Sequence, residues 1–281
     1  MIKVGFIGAG NMGSALAKAA TLADGVSVFL YDKCEKKADS VATEIGAEFI
    51  SLKALVSECD FIYLAVKPNI IPSVAQEILP MLKERCGFTL VSMAAGVSLD
   101  SLGTAFESLP FPIIRIMPNT PASVGHGMTL WCKNEFVSDK SASDFKTIMA
   151  NSGALDAIDE RLIDAASAVS GCGPAFVYMF IEALADGGVE CGLPRDKALL
   201  YAAETLIGAA EMVKRTGTHP EALKDAVCHL RSPEQACSPH SGQARSAFPS
   251  VPPRLHRRSY PHRPATSLRN VLPWDTWPQC R

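Results

Sequence analysis

The sequence lacks any apolar run long enough to span a membrane. Its longest unbroken apolar stretch, Pro174 to Ile181, has eight residues, whereas a helix needs about 20 to cross a bilayer. No transmembrane helix is therefore predicted. The first 20 residues contain a lysine and an apolar run, as a signal peptide does, but glycines at positions 5, 8, 10 and 13 interrupt any hydrophobic helix. We predict a mature, cytoplasmic N-terminus.

The cysteine patterns of a disulfide framework or a zinc site are also missing. The nine cysteines are scattered, odd in number and include no Cys-x-x-Cys pair, which favours reduced and mostly buried thiols. Cys228, His229, Cys237 and His240 are the grouping closest to a zinc site, but the first two are adjacent and no second ordered pair follows. No metal site is predicted.

Lysine and sustained apolar periodicity are absent from residues 229–281. This segment has nine prolines, eight arginines and seven serines, and its 8 basic and 2 acidic residues contrast with 19 and 27 in residues 1–228. Such a composition predicts a disordered tail. Its arginine-rich segment, 254–264, is the one candidate patch for nucleic acid or an acidic membrane. A solvated tail is the simpler interpretation, so neither partner is predicted.

The rest of the chain alternates short apolar runs with amphipathic helical stretches. The apolar runs predict strands at Lys3–Ile7, Val26–Tyr31, Phe61–Ala65, Thr89–Ser92, Ile113–Met117 and Met128–Cys132. Alternation of this kind is typical of an α/β fold with a parallel sheet. From Leu162 onward the pattern predicts helices alone, at Ala175–Val189, Arg195–Arg215 and Pro220–Val227.

A glycine-rich motif, Gly8-Ala9-Gly10-Asn11-Met12-Gly13, lies between the first predicted strand and the first predicted helix. At such a position backbone N–H groups and the helix dipole can hold a pyrophosphate. Gly8 permits the turn, Gly10 the approach of the phosphates and Gly13 close helix packing. Asp32 follows Gly13 by 19 residues, at the end of the second strand, where a carboxylate can accept hydrogen bonds from the adenosine ribose. The pattern predicts a Rossmann-type dinucleotide-binding domain.

The sequence leaves NADP and NAD both open as the cofactor. Asp32 repels a 2'-phosphate and favours NADH. Lys33, Lys36 and Lys37 lie close by and either attract that phosphate or form the solvated face of a helix.

Three further segments follow predicted strands, at the edge where open α/β sheets bind ligands. In Ala65-Val66-Lys67-Pro68 the proline directs Lys67 away from helical geometry, which predicts a loop with Lys67 near phosphate or ribose. Ala94-Ala95-Gly96 and Met117-Pro118-Asn119-Thr120-Pro121 end the next two strands, and their small residues leave room for a nicotinamide ring. Besides the glycine motif and Asp32, the predicted cofactor-binding residues are Ala65, Val66, Lys67, Pro68, Ala94 and Gly96.

These segments, with Ser170-Gly171-Cys172-Gly173-Pro174-Ala175 and residues 219–228, occur in the order seen in pyrroline-5-carboxylate reductases, which the chain resembles over about residues 1–228. The resemblance implies hydride transfer from NAD(P)H to the C=N carbon of 1-pyrroline-5-carboxylate, which gives L-proline in proline biosynthesis. It also implies a homo-oligomer and a substrate that contacts Asn119, Ser170 and Pro174. No catalytic residue is assigned.

The resemblance further implies a division into a Rossmann domain at 1–160, a partial helical substrate and dimerisation domain at 161–228, and the tail at 229–281. A related β-hydroxyacid dehydrogenase would need a lysine base on the first long helix after the Rossmann domain. The corresponding stretch, 170–188, contains no lysine.

The chain departs from the family pattern after Cys228. In the family a Ser-Pro-Gly-Gly-x-Thr loop holds the substrate carboxylate and imine nitrogen, and closing helices follow. Here Cys228 precedes His229-Leu230-Arg231-Ser232-Pro233-Glu234, and Ser238-Pro239-His240-Ser241-Gly242 is a partial echo without paired glycines or a following threonine. We hypothesise that residues 229–281 are a frame-shifted or mis-spliced product. The alternative function is therefore a catalytically impaired dinucleotide-binding protein whose oligomer is weakened.

Overall fold

The computed structural model describes residues 1–229. Sequence predictions for residues 230–281, including the disordered tail, Cys237 and His240 of the zinc grouping and the arginine-rich segment 254–264, lie outside the described residues. The chain divides into two compact units, residues 1–180 and a second unit that starts at Ile181.

Strands and helices alternate through the first unit, and helices follow. The strands are β1 (Ile2–Ile7), β2 (Val26–Tyr31), β3 (Glu48–Phe49), β4 (Phe61–Leu64), β5 (Thr89–Ser92), β6 (Ile113–Met117), β7 (Gly127–Lys133) and β8 (Gly153–Ala157). The α-helices are α1 (Asn11–Thr21), α2 (Glu35–Ile45), α3 (Leu52–Glu58), α4 (Ile71–Leu82), α5 (Leu99–Ala105), α6 (Asp139–Met149), α7 (Ile163–Ser170), α8 (Gly173–Glu190), α9 (Arg195–Thr216) and α10 (Pro220–His229).

All these strands belong to one sheet with the order β3-β2-β1-β4-β5-β6-β7-β8. Neighbours pair in parallel except β6 and β7, which are antiparallel. The predicted α/β fold of Rossmann type, with a predominantly parallel sheet, is confirmed. Because the strand order reverses at β1, a crevice opens between the carboxyl ends of β1 and β4, where sheets of this type bind ligands.

Apolar side chains are buried on both faces of the sheet. Every residue of β4 is buried, as is typical of a parallel strand covered by helices on both sides. One face packs against α1, α2 and α6, with Leu16 and Phe145 fully buried. The other packs against α3, α4 and α5, with Leu55 and Ile78 fully buried. This double layer fixes the strand ends that carry the candidate site.

The sequence patterns do not predict β3, α6, α7 or β8. β3 has two residues, and three of the five residues of β8 are exposed, so neither gives an apolar run that the sequence pattern could identify. α6 does carry a signal: Ala142, Phe145 and Ile148 are buried at helical spacing, and the side chain of Ser138 caps its start by accepting from the N–H of Ser141. Helix α7 buries Ile163 alone, which leaves little periodicity to detect.

The helical part of the chain leaves apolar side chains exposed. On the segment of α8 in the first unit, Phe176 is 66% exposed and Met179 is 65% exposed. In the second unit a small core contains Ala185, Ala198 and Ala202. Helices that bury so little apolar surface within one chain need another surface to cover them.

One stretch of the described residues, Glu160–Glu190, is long and apolar enough to cross a membrane by length and composition. It contains α7 and α8, and almost none of it is buried within the chain. Glu182 and Asp186 interrupt this stretch, so it contains no long unbroken apolar run. Length and composition are its only membrane-like properties.

Candidate nucleotide and substrate site

The glycine-rich turn between β1 and α1 packs against the end of β4. Gly8 has a φ of 113°, and a Cβ there would lie 2.4 Å from the carbonyl oxygen of Ala65. A Cβ at Gly13 would lie 2.5 Å from the carbonyl oxygen of Gly8. Both positions therefore need glycine, the first for its backbone conformation and the second for the close contact between helix and turn.

The outer side of this turn is open. A Cβ at Gly10 would have no protein atom within 4 Å, so the space that a side chain would fill is free for a ligand. Gly10 is the N-cap of α1, and no side chain caps the helix. Since the first turn of a helix leaves its N–H groups without intrahelical acceptors, Asn11, Met12 and Gly13 present donors and the positive end of the helix dipole to this space. A pyrophosphate fits both the space and the charge.

Asp32 is tied to the same turn from the end of β2. Its Oδ2 accepts a hydrogen bond from the N–H of Ala9 at 2.8 Å, and its Oδ1 accepts one from the N–H of Cys34 at 2.9 Å. Sequence reasoning predicts that this carboxylate faces the ribose and does not predict either backbone bond. The residue therefore holds the phosphate turn in place in addition to lying at the pocket.

A cavity of about 220 Å³ lies beside Asp32 at the carboxyl ends of β1 and β2. Its lining residues are Ile7, Gly8, Tyr31, Asp32, Lys33, Leu52, Val66, Ile70, Val74 and Glu77. Its place at the reversal of strand order suits the adenosine half of a dinucleotide. Sequence reasoning missed Glu77. The spacing of Ile70, Val74 and Glu77 could have indicated that Glu77 lines the cavity, because residues four and seven positions apart share one helix face.

The loop after β4 borders this cavity. Lys67 is exposed and extended, with φ −64° and ψ 151°, and Pro68 starts a short 3-10 turn that ends at Ile70. The predicted departure of Lys67 from helical geometry is confirmed. Ala65 donates its N–H to the carbonyl of Ile7 at 2.9 Å, which fixes the loop beside the phosphate turn.

The loop after β5 presents small residues at the same edge of the sheet. Ala94 is 2% exposed, whereas Gly96 is exposed and has a φ of 74°. A Cβ at Gly96 would meet no protein atom within 4 Å. Open space therefore lies next to this loop, as a nicotinamide ring requires.

Asn119 connects three segments on the other side of the crevice. Its Nδ2 donates to the carbonyl of Ser170 at 2.8 Å, and its Oδ1 accepts from the N–H of Met128 at 2.8 Å. Asn119 is buried, with 8% of the residue exposed. Its side chain thus joins the end of β6, the start of β7 and the end of α7. A cavity of about 300 Å³ is lined by Asn119, Pro121, Val169, Ser170, Gly173, Pro174, Val177 and Tyr178.

The three predicted substrate residues, Asn119, Ser170 and Pro174, therefore lie around one cavity although 51 residues separate the first two. Their proximity depends on the way α7 is anchored to the sheet. Glu160, just before α7, accepts from Nη1 of Arg115 at 2.9 Å and from the N–H of Leu99 at 2.6 Å. Sequence reasoning missed this anchor, since no local pattern pairs residues so far apart.

Within residues 1–229, no group of three or more His, Cys, Asp or Glu residues could hold a metal ion. The polar groups at the crevice include backbone donors, Asp32, Lys67 and Asn119. Such a set can bind and orient a dinucleotide and a small polar molecule.

Two family models match the chain. The model described as pyrroline-5-carboxylate reductase dimerisation matches residues 160–233. The model described as NADP oxidoreductase, coenzyme F420-dependent, matches residues 3–96. The first covers the helical part of the chain, and the second covers the phosphate turn, Asp32 and the two loops after β4 and β5.

Similar proteins span most of the chain. Pyrroline-5-carboxylate reductase of Escherichia coli strain K12 is 40% identical over 230 residues, which are 80% of this chain and 84% of that protein. The enzyme of Arabidopsis thaliana is 36% identical over 232 residues, 80% of this chain and 82% of that protein. The crystal structure of Plasmodium falciparum pyrroline carboxylate reductase with NADP bound superposes with a TM-score of 0.73 at 34% identity, over 86% of this chain and 87% of that one.

Proposed function

The chain belongs to the pyrroline-5-carboxylate reductase family, and we propose that it transfers hydride from NAD(P)H to the C=N carbon of 1-pyrroline-5-carboxylate to give L-proline. Membership makes it an NAD(P)-dependent oxidoreductase of the type that acts on C=N bonds. The observation that carries the substrate assignment is the cavity beside Asn119, Ser170 and Pro174, which lies at the same edge of the sheet as the phosphate turn.

In this proposal the first unit binds the cofactor. The free N–H groups at the start of α1 hold the pyrophosphate, and the exposed ammonium of Lys67 lies near a phosphate or ribose. The small residues Ala94 and Gly96 leave room for the nicotinamide, whose reduced form supplies the hydride. The relative from Plasmodium falciparum supports the assignment, since its structure contains NADP.

The residues around the 300 Å³ cavity position the substrate. Both polar atoms of the Asn119 amide are already bonded to backbone groups, so this residue supports the wall of the cavity and offers its second Nδ2 hydrogen to a ligand. The side chain of Ser170 donates to the carbonyl of Ala166 at 3.2 Å and keeps its oxygen as an acceptor. Orientation of the ring against the nicotinamide is the main contribution that such groups make to the rate.

We further propose that the helical part, with a domain boundary near residue 160, assembles with a second copy in a soluble cytoplasmic protein. The start of the dimerisation match at residue 160 supports this boundary. The same match contains the whole of the membrane-like stretch Glu160–Glu190. A subunit contact therefore accounts for exposed Phe176 and Met179 without a membrane.

The proposal is tested by incubating the purified chain with 1-pyrroline-5-carboxylate and NADH or NADPH and measuring L-proline by mass spectrometry. Proline that forms in proportion to enzyme concentration supports the function. If both cofactors bind and no proline forms at any enzyme concentration, the reductase function is wrong for this chain.

A second candidate function, a dinucleotide-binding protein with impaired turnover, rests on a specific observation. The dimerisation match ends at residue 233, close to the point where the sequence departs from the family's substrate loop. Cofactor binding with little or no turnover would distinguish this candidate.

A further inference from the structure

Arg115 on β6 carries a buried positive charge. Its Nη1 donates to Oε1 of Glu160 at 2.9 Å, and its Nη2 donates to Oδ1 of Asp164 at 3.3 Å. The side chain of Glu160 is 31% exposed, whereas that of Asp164 is 84% exposed. A buried charge without a partner is strongly destabilising, and an exposed ion pair contributes little. Glu160 is therefore the partner on which the Arg115 guanidinium depends.

The same oxygen of Glu160 also holds the loop between β5 and α5 (residues 93–98), called here the β5–α5 loop. It accepts the N–H of Leu99, the first residue of α5, at 2.6 Å. This N–H has no acceptor within its helix, and the side chain of Ser98 accepts from Ser101 instead. Gly96, next to the open space that suits the nicotinamide, lies three residues before Leu99. Glu160 thus fixes the end of the loop that borders the nicotinamide.

A second hydrogen bond joins the far ends of β6 and α7. Asn119, four residues after Arg115, donates to the carbonyl of Ser170, the last residue of α7, at 2.8 Å. The segment that runs from Glu160 through α7 is therefore bonded to β6 and the residues after it at both ends, which restricts sliding and tilting of the helix. Asn119 and Ser170 line the cavity of about 300 Å³, called here the substrate cavity. The position of its wall thus depends on the Arg115–Glu160 pair.

We propose that Arg115 and Glu160 are positioning residues for hydride transfer, which hold the substrate cavity in register with the β5–α5 loop. Neither is among the described lining residues of the adenosine cavity or the substrate cavity, so both act through Leu99 and through α7. The inference rests on the proposed function, because it needs the reductase reaction in this crevice. Reacting atoms have to lie about 3–3.5 Å apart, and a displacement of about 1 Å can cost about 100-fold in rate.

The test compares Glu160→Gln with the unaltered full chain. Each protein, in excess over NADH or NADPH, is mixed with saturating 1-pyrroline-5-carboxylate, and the oxidation of the cofactor in a single turnover is followed by absorbance. Glutamine keeps the shape and an acceptor oxygen for Leu99, but it removes the negative charge beside Arg115. We expect the rate of hydride transfer to fall about 10- to 100-fold. The dissociation constant of the cofactor, from fluorescence titration, should stay within about twofold, because the phosphate turn is unaltered.

Asp164→Asn is the matched control, because it removes a carboxylate from the same guanidinium but at an exposed position. Its rate should stay within about twofold of that of the unaltered chain. Arg115→Lys gives a second measurement if Glu160→Gln does not fold. Lysine keeps the charge but loses the planar fork of donors, so its rate should fall below that of Asp164→Asn.

Three outcomes would contradict the inference, and they separate it from the proposed function. A folded Glu160→Gln protein with the rate of Asp164→Asn overturns the inference and leaves the proposed function standing. A loss of cofactor affinity as large as the loss of rate places the effect in cofactor binding and also overturns it. If the unaltered chain does not oxidise either cofactor in the presence of the substrate, the proposed function and this inference fail together.

Discussion

Two parts of this chain bury their apolar residues to very different extents: the strands with α1–α6, called here the sheet unit, and the helical part, α7–α10. In the sheet unit, large side chains such as Phe6, Tyr63 and Phe145 are fully buried. In the helical part, Phe176 and Leu200 remain more than half exposed. The sheet unit thus buries its large apolar side chains within one chain, whereas the helical part leaves many of them exposed, as the proposed assembly with a second copy requires. Cofactor binding and substrate turnover should therefore respond differently to substitutions in the sheet unit and in the helical part.

We expect the largest effect on turnover, which should be slower in this chain than in a protein with the family's complete substrate site. The chain should bind NAD(P)H but reduce 1-pyrroline-5-carboxylate at least about 100-fold more slowly than a chimera that carries the family's substrate loop and closing helices, since one lost polar donor commonly costs that much. Steady-state rates of both proteins, at matched cofactor saturation, give the comparison. Rates within about tenfold, a gap of ~1.4 kcal/mol, would show that the chain has another way to anchor its substrate.

A side chain at Gly10 should weaken cofactor binding without unfolding the sheet. Gly10→Val places methyl groups in the open space where the pyrophosphate binds, and we expect the affinity for either cofactor to fall by at least about tenfold. Calorimetric titration measures the affinity, and circular dichroism checks the fold.

Gly103→Val is the control for this substitution, because Gly103 on α5 is also free of neighbours within 4 Å and lies away from the turn. Unchanged affinity in a folded Gly10→Val protein would mean that the phosphates bind elsewhere.

A substitution on the exposed helical face should weaken assembly of the subunits and leave cofactor affinity unaltered. Phe176→Ser removes an aromatic side chain from that face, and truncation of a large interface anchor costs about 2 kcal/mol or more. We expect the dimer dissociation constant from analytical ultracentrifugation to rise at least about 30-fold. The control is Val124→Ser, which alters an exposed apolar residue of the sheet unit. Equal dissociation constants in the two variants would show that Phe176 lies outside the interface.

Substitution of Lys67 should have the smallest effect on cofactor binding. Its ammonium is exposed, so Lys67→Ala should weaken cofactor binding by only about twofold to fivefold. The salt dependence of binding should also decrease, because one charge contact to a phosphate is lost. Lys18→Ala, at the far end of α1, is the control; a Lys67→Ala protein with the affinity and salt dependence of this control would place Lys67 outside the cofactor site.

Local patterns account for most of the first unit. β1, α1 and β2 follow from an apolar run, a glycine turn and a second run, and the turn needs glycine for reasons visible in the sequence alone. The conformation of Gly8 and the close packing at Gly13 agree with those reasons. Short or mostly exposed elements such as β3 and β8 give no such pattern, because their stability comes from the strands beside them.

The sequence by itself determined the phosphate turn, the alternation of the main strands and helices, and the family, since each depends on motifs of residues close together in the chain. Only the tertiary structure decided which distant groups meet. Asp32 bonds Ala9 across the turn, Asn119 bonds Ser170, and Glu160 pairs with Arg115. The first two contacts form at the carboxyl ends of the parallel strands, and the third joins β6 to the segment before α7. Each of these hydrogen bonds depends on backbone positions that no single segment specifies.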